Sequence, residues 1–190
     1  MHVLIATEIW GRTPHIEKLA GTLESAADAV TVIDPYSGTD PGFRDEDQAY
    51  AAFLELCGHE KYARRVRQAL HKAVQPVFLA GFSAGAGAVW SAVCAQDTGH
   101  ARYAACFYGS GIRTMTERVP RVPVDMIFPG HEPHFDVLAL ADTLREKPLI
   151  RCRMVPQGHG FMNPLSVRYD KEAARHWTAW LQQKIESAVE

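Results

Sequence analysis

Apolar positions in this chain fall into two alternating rhythms. Short, mainly apolar runs at residues 2–7, 29–33, 76–80, 103–108, 122–128 and 149–155 have the length of strands, and the first reads as a strand buried on both faces. Between them, apolar residues recur three and four apart, the spacing of a helix with one buried stripe. Thr13-Pro14 opens the first helix, with Thr13 as N-cap and Pro14 at the first helical position. Ile16, Leu19, Ala20 and Leu23 form its inner face. Residues 45–56 and 59–74 read as two helical segments broken at Gly58, and Tyr62, Val66, Ala69, Leu70 and Ala73 share a face of the second. Further helices are predicted over 83–95, 135–145 and 166–188. Short apolar strands alternating with helices imply a six-stranded, mostly parallel sheet with helices on both faces, in a single α/β domain over residues 1–190.

In such sheets the chemistry sits at the carboxyl ends of the strands. The loop after the third strand reads Gly81-Phe82-Ser83-Ala84-Gly85. This is G-x-S-x-G between a strand and a small-residue helix, the context in which a serine hydroxyl projects from a sharp turn. A nucleophilic serine needs a base, and the base needs a carboxylate to fix its tautomer. His159 lies between two glycines just past the sixth strand and is the candidate base. Two acids compete after the fifth strand. Glu132 stands within the loop, whereas Asp136 falls where a helix begins and an acid is favourable for the helix itself. Glu132 is preferred, and the order Ser83, Glu132, His159 is then the α/β-hydrolase order of nucleophile, acid and base. The residue after the nucleophile, Ala84, supplies one oxyanion N–H, and Ile9, after the first strand, supplies the second. Trp10 and Tyr108 are either pocket walls or aromatic core. His131 and His134 flank Glu132, but their spacing is poor for zinc and no third ligand accompanies them, so no metal is expected.

Composition removes other functions. The formal net charge is −2, and the densest basic stretch, Arg64-Arg65-Val66-Arg67, lies in a helical pattern as a solvated face. Nucleic acid is therefore not an expected partner. No apolar run approaches a membrane span. The four cysteines, Cys57, Cys94, Cys106 and Cys152, form no C-x-x-C pair and fall in predicted helices or strands, as free thiols of a cytoplasmic protein do. The first residues lack the charged region and cleavage site of a signal peptide, in keeping with that compartment.

These motifs together resemble the dienelactone hydrolase family. The matching stretches are Thr7-Glu8-Ile9-Trp10-Gly11-Arg12, Val32-Ile33-Asp34-Pro35-Tyr36, Gly81-Phe82-Ser83-Ala84-Gly85-Ala86, Phe107-Tyr108-Gly109-Ser110-Gly111, the segment from Val122 to Pro133, and Gly158-His159-Gly160-Phe161. The resemblance spans almost the whole chain. It implies a minimal α/β-hydrolase fold without a large lid, an open, shallow site, hydrolysis of small esters or lactones, no cofactor and a cytoplasmic setting. It also implies that Glu8 contacts the resting nucleophile at the substrate site, the other reading of this residue being an exposed loop acid. The chain departs from the family pattern at three places: Ser83 stands for a cysteine, Glu132 for an aspartate, and Asn163 for an arginine that holds a substrate carboxylate. A neutral or differently charged ester is favoured by those departures. Acyl transfer or thioester hydrolysis would use the same residues, a non-catalytic ligand-binding protein could share the fold, and a homodimer stays open as an assembly.

Overall fold

A computed structural model describes residues 1–188. The elements run β1 (His2–Ala6), α1 (Pro14–Leu23), β2 (Ala29–Ile33), α2 (Glu46–Leu56), α3 (Gly58–Lys72), β3 (Val77–Phe82), α4 (Ala84–Val93), β4 (Ala101–Phe107), β5 (Val124–Pro129), α5 (Val137–Arg145), β6 (Ile150–Val155) and α6 (Lys171–Ser187). The strands form one sheet in the order β2-β1-β3-β4-β5-β6, and every neighbouring pair is parallel.

Burial follows position in the sheet. β3 and β5 are buried at every residue, which is why β3 reads as an unbroken apolar run and β5 as one interrupted only by Asp125. β2 and β6 are edge strands and alternate between covered and exposed residues. Side chains of β3 divide between two cores. Val77 and Leu79 pack with α2, α3, α4 and α5. Phe78, Ala80 and Phe82 pack with α1 and α6 on the opposite face. Helices thus cover both faces, and the carboxyl edge of the sheet is left to loops. Among the described residues no large lid interrupts the alternation, and no helix is long and apolar enough to cross a membrane.

Three local features differ from the sequence expectation. The last helix begins at Lys171 rather than near residue 166, because the Asp170 carboxylate accepts the N–H groups of Glu172 and Ala173 and caps it there. Thr13 occupies the N-cap of α1 but does not cap it, since its hydroxyl bonds the His15 ring at 2.8 Å. Residues Ser110–Thr114, for which the apolar pattern predicts no element, wind into a short 3-10 turn.

Candidate active site

The serine turn is built by backbone collisions that only glycine avoids. A Cβ on Gly81 would lie 2.7 Å from Ala86 Cα and from the Gly85 carbonyl oxygen. One on Gly85 would overlap the carbonyl oxygens of Ala6 and Thr7 in β1 and its loop. The chain can therefore double back against β1 only with both glycines in place. Ser83 is left at φ 51°, ψ −113°, a conformation L residues rarely hold, at a cost of about 1–3 kcal/mol. The Ala, Gly and Ser residues of α4 let it lie close against the sheet, and the helix is buried from Gly85 to Val93.

Three loops converge on that serine. Ser83 Oγ lies 2.9 Å from His159 Nε2. His159 Nδ1 lies 2.6 Å from Glu132 Oε1, so the Nδ1–H donates to the carboxylate and the Nε2 lone pair faces the hydroxyl. Glu132 is 7% exposed and turned inward, between exposed His131 and His134. Asp136 is the other acid of that loop, and it points elsewhere. Its carboxylate accepts the N–H groups of Leu138 and Ala139 and caps α5. The acid loop is held to the histidine loop by Gly130 N–H donating to the Gln157 carbonyl at 3.1 Å.

Burial disfavours the charged form of His159, but the hydrogen bond and charge of Glu132, with the charges of Glu8 and Glu46, outweigh it. The imidazole pKa is raised above its usual value. The cysteines offer no rival nucleophile. Burial pushes all four thiols up, to about 12 for Cys94 and about 11 for Cys152.

The loop after β1 is fixed from behind. Tyr36 donates its hydroxyl to the Ile9 carbonyl at 2.6 Å, and Tyr62 donates to the Thr7 carbonyl at 2.9 Å. β1 and β3 pair in register with Ala6 opposite Gly81, so Ile9 and Ala84 each stand three residues beyond the last matched pair. Among the described residues neither the Ile9 nor the Ala84 N–H has a protein acceptor. Trp10 is 7% exposed and belongs to the core on the α2–α5 face. Tyr108 is 1% exposed, with a positive φ of 39°. Its ring stands 5.2 Å from the His159 ring, and its hydroxyl donates to Glu8 Oε1 at 2.6 Å. Glu8 makes no hydrogen bond to Ser83, and it is buried rather than an exposed loop acid. Its second oxygen accepts from Asn163 Nδ2 at 2.5 Å. Two surface grooves, of about 590 and 440 Å³, lie at residues 156–172 and beside β2, and neither is lined by Ser83, His159 or Glu132.

Some of this machinery carried no sequence signal. Tyr36 and Tyr62 hold the loop after β1 from 27 and 55 residues away. Asn163 stood out only because the resemblance expects an arginine there, and its bond to Glu8 spans 155 residues.

Comparison with known proteins agrees with this architecture. No family model matches the chain. An uncharacterized protein of Bacillus subtilis (strain 168), YczH, is 28% identical over 181 residues, covering 89% of this chain and 84% of that one. A dienelactone hydrolase-like promiscuous phosphotriesterase, P91, from metagenomic libraries superposes with a TM-score of 0.73 at 18% identity, over 97% of this chain and 86% of that one. Alpha/beta hydrolase domain-containing protein 10 from mouse gives a TM-score of 0.68 at 14% identity, over 98% and 89% of the two chains. A dienelactone hydrolase from Anabaena variabilis gives 0.63 at 16% identity, over 96% and 85%. The chain has the α/β-hydrolase fold in its minimal, six-stranded form.

Proposed function

We propose that this protein is a serine hydrolase acting on small carboxylic esters or lactones. The observation that carries the reading is the continuous relay from Ser83 Oγ through His159 to Glu132, at 2.9 and 2.6 Å. Ser83 attacks the carbonyl carbon while His159 Nε2 takes the hydroxyl proton. The tetrahedral oxyanion is held by the N–H groups of Ile9 and Ala84, the latter at the positive end of α4. His159 then gives the proton to the departing alkoxide, leaving an acyl-serine. Water, deprotonated by the same imidazole, releases the acid and regenerates Ser83. Glu132 holds the ring tautomer and balances the imidazolium throughout.

Serine rather than cysteine chemistry is supported by the buried, proton-retaining thiols. The named hydrolases among the structural neighbours, one of them a promiscuous phosphotriesterase, are consistent with a hydroxyl that attacks activated esters. A panel of p-nitrophenyl esters of increasing acyl length, with a diethyl phosphate triester as a further arm, tests the reading. Turnover of the short acyl esters is expected, falling at least about 10³-fold in Ser83→Ala. Equal turnover by the variant contradicts the assignment.

A further inference from the structure

Among the described residues four carboxylates are buried, Glu8, Asp34, Asp125 and Glu132. Three have evident partners. Asp125 faces Arg153 at 3.5 Å and Lys184 at 3.9 Å. Asp34 takes the N–H groups of Tyr36 at 2.6 Å and Gly38 at 2.8 Å in a turn. Glu132 takes His159. Glu8 has neither a cation nor a turn to cap. It sits between two neutral side-chain donors, Tyr108 and Asn163, directly beside the relay.

We propose that Glu8 is an ionised second acid of this site, held in place by Tyr108 and Asn163, and that it balances the imidazolium form of His159. The inference rests on the hydrolase reading for its purpose, though not for its geometry.

Hydrogen-bond accounting assigns the charge. Asn163 Oδ1 accepts the Leu165 N–H at 2.8 Å, so the amide cannot turn over and must present its NH₂ to Glu8. The Tyr108 hydroxyl is buried and, among the described residues, has Glu8 as its partner. A protonated Glu8 would have to donate to a group that is already donating. Tyr108 oxygen could take that proton, but its own would then be buried without an acceptor. Only the carboxylate satisfies all three side chains.

Position assigns the role. Glu8 precedes Ile9 in the loop after β1, Tyr108 follows β4, and Asn163 lies four residues beyond His159. The two bonds to Glu8 therefore tie the oxyanion loop to the end of β4 and to the histidine loop. The charges that bear on His159 are, largest first, those of Glu132, Glu8 and Glu46, from the loops after β5 and β1 and from the start of α2, all acids. The rings of Tyr108 and His159 are in contact, and Glu8 holds the hydroxyl of that tyrosine. When His159 takes the serine proton, it becomes the cation that Glu8 otherwise lacks. Burial, with a smaller push from the Glu46 charge, leaves the pKa of Glu8 raised above the usual carboxylate value, and the Tyr108 and Asn163 bonds and the His159 charge offset that rise only in part, so the hydrogen-bond geometry and not the burial argues for the ionised form. Acting through His159 rather than on substrate, Glu8 is a positioning residue.

Imidazole NMR titration of the free protein and of Glu8→Gln tests this, with His159 assigned by its loss in His159→Gln. The His159 midpoint is expected to fall by about one pH unit in Glu8→Gln, and the acid limb of kcat/KM with it. A folded Glu8→Gln with an unmoved midpoint overturns the proposal, because a purely structural clamp would leave the titration alone. Should Glu8→Gln not fold, carboxyl ¹³C shifts of the wild-type protein decide: a Glu8 ionised at pH 7 supports the proposal and a protonated one overturns it. The titration needs no turnover. A fallen midpoint in a protein without Ser83-dependent esterase activity leaves Glu8 as assigned and removes the hydrolase reading instead.

Discussion

The serine turn and the histidine loop meet at one hydrogen bond but are made by different physics. The serine turn is a steric object. Gly81 and Gly85 let β3, α4 and β1 approach to backbone contact, and Ser83 is forced to a positive φ as a result. The histidine loop is a hydrogen-bonded object. Its backbone makes successive turns from Gly160 to Asp170, and side chains from distant segments pin it: Asn163 on Glu8, and Gln157 Nε2 donating to Asp170 Oδ2 at 3.1 Å. Backbone exclusion tolerates almost no change. A loop held by several polar bonds can lose one and keep its shape, so its substitutions are expected to alter rate and pH response before stability.

The sharpest way to break this contrast is Gly85→Val. The new side chain has no space against the Ala6 and Thr7 carbonyls, and a loss of at least about 4 kcal/mol, or failure to fold, is expected in chemical denaturation. A variant of native stability would show that the turn is not sterically set. Glu132→Gln comes next. It keeps the shape of the histidine loop but cannot hold the tautomer and charge of His159. A kcat lower by about 10²–10⁴ is expected with a melting temperature close to wild type. Asp136→Ala probes the acid that competes with Glu132 in the sequence. It removes the cap of α5, which costs about 1 kcal/mol, and leaves kcat/KM unchanged. Reversed results for these two would exchange the roles of the acids.

The smallest effect is in pH. The folded-state pKa of His159 is raised, so the protonated form is favoured by folding. Its contribution to stability is fully present below the unfolded value of 6.5 and is lost as pH rises through the folded value. Activity runs the other way, because the base must be neutral. The acid limb of kcat/KM is therefore expected above pH 6.5, which a rate profile at saturating and subsaturating ester would show.

The same division explains what the sequence disclosed. Mainly apolar runs expose the central strands, because residues buried on both faces are apolar unless, like Asp125, they find charged partners. The serine turn was legible because steric exclusion leaves small residues behind. Glu132 and Asp136 were separable because an acid four residues further on falls at a helix start, and a helix start has its own use for a carboxylate. Side-chain bonds across the fold leave no such trace. Nothing near Ile9 announces that Tyr36 will hold its carbonyl, and nothing near His159 announces Glu8. Residues 166–170 read as the first turn of the last helix because they do not break the helical pattern; the helix starts only at Lys171, where the Asp170 carboxylate caps it.

The central claim is that Ser83 is an activated nucleophile. Incubation of the folded protein with a fluorophosphonate, followed by mass spectrometry of the intact chain and its peptides, tests it without knowledge of the substrate. The relay predicts a single adduct on Ser83, absent from Ser83→Ala and strongly slowed in His159→Ala. A native protein that does not react, or a Ser83→Ala variant that reacts equally, contradicts it.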